Sequence, residues 1–461
     1  MASPSFDPKG FDGFVFDRMS ETGLPGLSAA VIQDGKVVHA RGYGFRDAAA
    51  GLPATPRTLF GVGSITKSFT ALSVAKLVEG GKLEFHDPVT KYLPILGRLK
   101  AFEGVEVHHL LSHSSGIPGL GYAEVLIYGT IGSYHTWLPI ASLEDMSDFM
   151  GEVDGWVEAR PGERLLYLNE GYYLLGEIVA RTSGVPCETY ITREILRPLG
   201  MSRSFFSREE IEQDRDRATP YLIRGGRAGP SVMPYGCGAA GGLVSNVADL
   251  SNFVLMLIDG GEFGSTRIVS RESLRLMEEP YVRWPTELSP GDGYGYGFRV
   301  TPDFHGHRLV GHGGSIEVFT ADLRCAPDAA AGAIVLANGT GYSMSGFSSY
   351  AIASLLGADP EDLRSVRAER LLRRVEGQYR GYRGTVLAEV RRSGGFLKLS
   401  GDDIGDEIIL VPDEADGDGA SFFTITHGAK MDVRFRFDER GVELLYERYR
   451  YRRSGPLRPR T

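Results

Sequence analysis

The sequence predicts an α+β domain followed by a small antiparallel β-barrel. Three observations carry this. Strand-like runs occupy residues 27 to 40 and again 294 to 337, with helical patterns between them, so both ends of the domain contribute to one sheet, expected to be mixed. One helical pattern, from Phe69 to Val78, is apolar enough to be buried and stops at Gly80-Gly81. After Ala358-Asp359-Pro360-Glu361 the texture changes to short alternating strands separated by turns. The boundaries expected are 1–360 for the first domain, 361–375 for a helical linker and 376–461 for the barrel.

Composition narrows the function classes. The net charge of −9 over 461 residues gives no basic excess for nucleic acid. There is no run of 18 apolar residues, hence no membrane span, and Met1 to Gly23 lacks the apolar stretch of a signal peptide. Cys187, Cys237 and Cys325 are far apart and odd in number, which argues against a disulfide framework and predicts a cytoplasmic protein.

Along the chain, Phe11 to Met19 reads as an amphipathic helix. Leu27 to Gln33 and Lys36 to Ala40 read as strands across an Asp34-Gly35 hairpin turn. Short helices are expected at Val89 to Pro94, His108 to Ser112 and Ser142 to Met150. Gly119 to Leu138, rich in Gly and Tyr, resists assignment. Further helices are expected at Tyr172 to Arg181, at Thr189 to Leu196, and at Val247 to Ile258 with Asn246 as cap. Strands follow at Tyr294 to Val300, Arg308 to Gly311, Val318 to Arg324 and Gly332 to Ala337. The charged helix Glu361 to Val375 leads into six strands: Thr385 to Arg391, Phe396 to Ser400, Glu407 to Val411, Ser421 to Thr426, Met431 to Asp438 and Val442 to Tyr451. A basic tail runs through Arg448, Arg450, Arg452, Arg453, Arg458 and Arg460 and reads as a solvated face or an interface with the acidic body.

The chemistry centres on Ser64-x-x-Lys67. Residues three apart share a helix face, so hydroxyl and amine can meet. A serine hydroxyl needs a base, and a lysine serves only if burial lowers its pKa from about 10.4. Tyr167-x-Asn169 offers a phenol for proton exchange, given cations nearby to lower its pKa, and an amide able to hold a lysine and a substrate carbonyl. In His312-Gly313-Gly314-Ser315, between two strands, the glycines permit close backbone approach to a ligand.

Together and in order, these three motifs resemble those of class C β-lactamases and related D-aminopeptidases, amidases and β-lactamase-like esterases, which share their Ser-x-x-Lys with the class A enzymes. Pro25-Gly26-Leu27, Leu59 to Ser64, Leu110 to Gly116, Pro198 to Met201 and Gly241 to Ser245 also look like that family, over roughly residues 8 to 356. The resemblance implies an antiparallel sheet flanked by helices, with an all-helical region. It implies Ser64 as nucleophile and Lys67 and Tyr167 as the proton-transfer pair, with the base proper undecided. Asn169 would orient Lys67 and substrate, and the backbone N–H groups of Ser64 and Ser315 would form an oxyanion hole. His312 stands where β-lactamases carry lysine, and a histidine is mostly neutral at pH 7. This places the chain nearer the peptidase, amidase and esterase branches.

The tail, with Gly377 to Gly384, resembles the lipocalin-like C-terminal module of archaeal-type serine peptidases. It implies a homo-oligomer built through that module. The expected function is a serine hydrolase acting through an acyl-enzyme on small amides, peptides with or without D-amino acids, or esters. The alternatives are a carboxylesterase or transesterase, a weak β-lactamase, and a penicillin-binding sensor that acylates without turnover. Neither cofactor nor metal is expected. His108, His109 and His113 lack an acidic third ligand at a recognised spacing, and no His-Glu-x-x-His occurs.

Overall fold

The computed structural model describes residues 6–133, 140–285, 291–402, 404, 407–414 and 419–457. The chain divides into two compact units, Met1–Ala358 and Asp359–Thr461.

In the first unit, nine strands among the described residues form one sheet. Its order is Val282–Arg283, Gly293–Tyr294, Arg299–Phe304, His307–Ser315, Thr320–Ala326, Ala331–Ala337, Gly26–Gln33, Lys36–Asp47 and Leu52–Pro53. The hairpin at Asp34-Gly35 therefore joins the late strands through its first arm, with Leu27 opposite Ala337 and Ile32 opposite Gly332. The expectation of a sheet drawing on both ends of the domain is met; the expectation of mixed strands is corrected. Every pairing is antiparallel, because short turns connect the late strands and leave no crossover to reverse direction.

Strand Ala331–Ala337 is buried along its whole length. Ile334 and Leu336 enter the core of helix Val247–Ile258, while Ala333 and Val335 face the opposite way, where Pro8–Thr22 and Met344–Leu355 pack. A strand covered on both faces reads as a continuous apolar run. Helix Val247–Ile258 has the expected cap: Asn246 Oδ1 accepts from the Asp249 N–H at 3.0 Å.

The helix after Ser64 spans Thr66–Glu79, and Gly63–Ile65 is a 3₁₀ turn in front of it. It is buried on all sides from Thr66 to Ala75. Its small polar residues bond to neighbouring backbone: Thr70 Oγ1 donates to Ala239 O at 2.7 Å and Ser68 Oγ to Gly297 O at 2.6 Å. Phe69 stacks on Phe253 with ring centroids 4.3 Å apart. The unassigned stretch contains helix Tyr122–Thr130; residues 134–138 of it lie outside the described residues. The helix expected from Thr189 begins at Cys187 and passes into a π turn at Thr192–Leu196.

The second unit opens with helix Arg364–Val375, followed by a closed antiparallel barrel of eight strands among the described residues. Six were expected. Gly377–Arg380 is an additional strand, and the run ending at Tyr451 is two, broken where Glu447 turns with φ +49°. Val433, Phe435 and Leu444 fill the interior with Leu372 and Val375 of the helix. Of the basic tail, Arg450 and Arg452 pair with Glu443; Arg458 and Arg460 lie outside the described residues.

Phe69→Ala removes a ring with no exposed surface and should cost about 3–5 kcal/mol. Urea unfolding should show it as a lower midpoint for the first unit.

Candidate active site

Strand His307–Ser315 and the 3₁₀ turn at Ser64 meet backbone to backbone. A Cβ on Gly314 would stand 1.9 Å from the Val62 carbonyl oxygen and 3.1 Å from the Ser64 nitrogen. Gly63, at φ +52°, leaves similar room, since a Cβ there would lie 2.7 Å from the Ser315 nitrogen. Only glycine fits this approach, which brings the Ser64 and Ser315 segments together at one end of a cavity of about 560 Å³.

Ser64, Tyr167, Asn169, His312, Gly313, Gly314 and Ser315 all line that cavity. Lys67 lies behind it without exposed surface. Its Nζ donates to Ser64 Oγ at 3.1 Å, to Asn169 Oδ1 at 2.9 Å and to Ala240 O at 2.6 Å. Burial pushes the amine down to about 7, while Cys237, Glu124 and Glu170 pull upward. Desolvation disfavours the ammonium and the nearby anions offset part of that.

Tyr167 is placed by the segment before it. The Leu166 N–H donates to His113 O at 2.8 Å and the Leu168 N–H to His113 Nδ1 at 3.0 Å. The His113 ring lies under Tyr167 with centroids 4.0 Å apart. Helix Asn169–Ser183 then starts at Asn169 itself, earlier than the sequence pattern indicates. Burial raises the Tyr167 phenol well above its ordinary value, and the Ser64 hydroxyl beside it offsets this in part. The expectation that neighbouring cations lower this phenol is therefore corrected: burial raises it, and the Glu124 carboxylate pushes in the same direction.

His312 Nδ1 bonds to the Gly313 carbonyl at 2.5 Å, and Nε2 to Tyr294 Oη at 2.8 Å. A carbonyl only accepts, so Nδ1 carries the proton and Nε2 accepts from the phenol. Burial first, then Lys67, lowers His312 to about 3. The ring is neutral at pH 7.

Several lining residues escaped the sequence reading. Glu124, on the helix that was not assigned, accepts from Asn169 Nδ2 at 3.2 Å. That helix is held by buried Glu170, whose Oε1 accepts from the Tyr122 N–H at 2.8 Å. The signal available was the carboxylate beside Asn169 in the motif itself. Arg299 pairs with Asp292 at 2.7 Å and Arg324 with Asp322 at 2.6 Å, so both lining cations already have a carboxylate partner. Among the described residues, a cluster of potential metal-ligand side chains, His86, Glu106 and His108, lies outside this cavity.

The nine-stranded sheet, the helical region and the clustered Ser, Lys and Tyr define the β-lactamase and penicillin-binding-protein class of folds. The chain belongs to the beta-lactamase family, which it matches over residues 11–356. Residues 360–452 match the Pab87 octamerisation domain. The octameric penicillin-binding protein homologue from Pyrococcus abyssi is 44% identical, with 96% of this chain and 99% of that chain covered and a TM-score of 0.90. Protein Rv1367c of Mycobacterium tuberculosis is 30% identical over 284 residues, 55% of this chain and 67% of that protein. Protein flp of Staphylococcus aureus is 26% identical over 333 residues, 71% of this chain and 62% of that protein. The chain thus spans about two thirds of the length of these curated relatives.

The buried amine yields a stability prediction. A lysine depressed to about 7 in the fold, against about 10.4 when unfolded, leaves the unfolded state binding more protons between those values. Its cost is full below pH 7 and is relieved as pH rises. Lys67→Met removes that cost and leaves the Asn169 and Ala240 oxygens unpaired, a penalty that does not vary with pH. The Tm difference, variant minus parent, should therefore fall from pH 6 to pH 10.

Proposed function

We propose that the protein is a serine hydrolase that forms an acyl-enzyme on Ser64, acting on small amides, short peptides or esters. The family's members are serine hydrolases. The observation that carries the reading is Lys67 Nζ, 3.1 Å from Ser64 Oγ and depressed to about 7. A neutral amine at that position takes the hydroxyl proton as Oγ bonds to the substrate carbonyl carbon. The Ser64 and Ser315 amides receive the resulting oxyanion. Tyr167, kept as a phenol, donates its proton to the leaving nitrogen or oxygen and is replenished from Lys67. Water then attacks the acyl-enzyme with Lys67 again as acceptor. Lys67 is the base in this scheme, and Asn169 holds its Nζ.

Glu124 and the paired arginines support a substrate preference. A carboxylate next to Asn169 favours an ammonium near the scissile carbonyl, as in a free amino terminus. Neutral His312 and paired Arg299 and Arg324 offer little to a substrate carboxylate, so β-lactam turnover is expected to be weak. The match of residues 360–452 to an octamerisation domain, with an octameric relative, supports homo-oligomers formed through the second unit. Free Cys187, Cys237 and Cys325 support a reducing, cytoplasmic location.

A panel of p-nitrophenyl esters, L- and D-aminoacyl nitroanilides, their N-acetyl counterparts and a chromogenic cephalosporin tests the reading. Ser64→Ala should abolish turnover, and Tyr167→Phe should lose about 10²-fold or more. The parent's kcat/KM should rise with pH through about 7 as Lys67 deprotonates. Full activity in Ser64→Ala refutes the proposal, and permanent mass on Ser64 after an activated ester marks a sensor that stalls. Glu124→Gln should weaken aminoacyl substrates and spare the acetylated ones. Truncation after Asp359, followed by light scattering, should reduce the assembled mass; an unchanged mass removes the role given to the second unit.

A further inference from the structure

Outside the cavity, two stretches distant in sequence are zipped together. The His108 N–H donates to Phe85 O at 2.8 Å and the Val107 N–H to Asp87 O at 3.0 Å, and Pro88 and Glu106 form an isolated β-bridge. This register places His86, Glu106 and His108 side by side. Each offers one donor atom, and these atoms lie within 4.8 Å of one another. His86 Nδ1 is 2.8 Å from Glu106 Oε2, and the His86 and His108 rings have centroids 4.9 Å apart.

We propose that His86, Glu106 and His108 form a binding site for a divalent cation of the zinc class. Two imidazole nitrogens and one carboxylate oxygen are ligands such ions accept, with water in the fourth position. Bonds of about 2.0–2.1 Å put tetrahedral donors about 3.3 Å apart. The His86–Glu106 pair is already that close, and His86, with 72% of its side chain exposed, is free to turn toward the third ligand.

The surroundings suit the role. The Nδ1 of His108 bonds to Tyr296 Oη at 3.2 Å, which orients the ring. Tyr281, stacked on Tyr296 at 4.4 Å, and Phe85 wall the inner side. Glu106 is fixed by a reciprocal cap: its carboxylate accepts from the His109 N–H, and its own N–H donates to His109 Nδ1 at 3.0 Å. His109 is thereby a cap and not a ligand, and His113 lies under Tyr167. The trio that sequence spacing offered is split into three tasks, and the acidic ligand comes from the N-cap.

A bound ion would clamp the 85–88 stretch to helix Val107–Leu111, whose chain continues to His113. This braces the fold without entering the chemistry, and it does not depend on the proposed reaction.

The test uses the full chain without an affinity tag, stripped with EDTA. Calorimetric titration with ZnCl2 should give one saturable site per chain with Kd below about 100 µM, and Zn²⁺ should raise Tm. His86→Ala removes an exposed side chain, so its apo Tm should equal the parent's. His86→Ala and Glu106→Gln should each weaken binding at least about tenfold. Cobalt(II) should give a spectrum without thiolate charge-transfer bands, which excludes Cys237 as the ligand. Absence of a saturable site below that concentration, or equal affinity in both variants, overturns the assignment.

Discussion

The site depends on how an amine is kept inside protein. Lys67 has no exposed surface, and a buried ammonium without partners is untenable. Three oxygens meet it, from the turn before its own helix, from the start of Asn169–Ser183, and from the short helix Gly238–Gly241 at Ala240. Each of those segments must be held in place for the others to be useful. His113 pins Tyr167, Glu170 pins the helix carrying Glu124, and Gly63 and Gly314 let two backbones touch. The amine's environment thus ties together the segments that carry Ser64, Tyr167, Asn169, Glu124 and Ser315.

Much of this was legible in the sequence because it is written locally. Ser64 and Lys67 share a helix face by spacing alone, and the Asn246 cap and the Asp34-Gly35 hairpin are local signals too. The direction of the Tyr167 shift was not legible. It depends on burial contributed in part by His113 and Tyr294, which lie far from Tyr167 in the chain. Glu124 was missed because helix Tyr122–Thr130 carries no apolar periodicity that marks it; Glu170, from another helix, holds it.

The barrel follows the same rule. Met431 to Asp438 announced itself by alternation, with Val433 and Phe435 inward and Asp432, Arg434 and Arg436 outward. Gly377–Arg380 is too short and too polar to stand out, yet closure requires it, since it joins Leu387–Ser393 on one side and Tyr449–Gly455 on the other. The antiparallel sheet of the first unit came from the motif resemblance and not from the strand patterns, which read as mixed: strand direction is a property of connections, and periodicity within a strand is silent about it.

The pairing of Leu27 with Ala337 has a consequence during synthesis. Translation at roughly 5–20 residues per second means the partner strand emerges about 15–60 s after the hairpin. Throughout that interval Gly26–Gln33 is an open edge on the ribosome, and its residues Leu27 to Ile32, destined for burial on both faces, stay exposed. This strand gains from shielding over that interval, and a chaperone holding it would act before the cavity is closed by Gly313, Gly314 and Ser315.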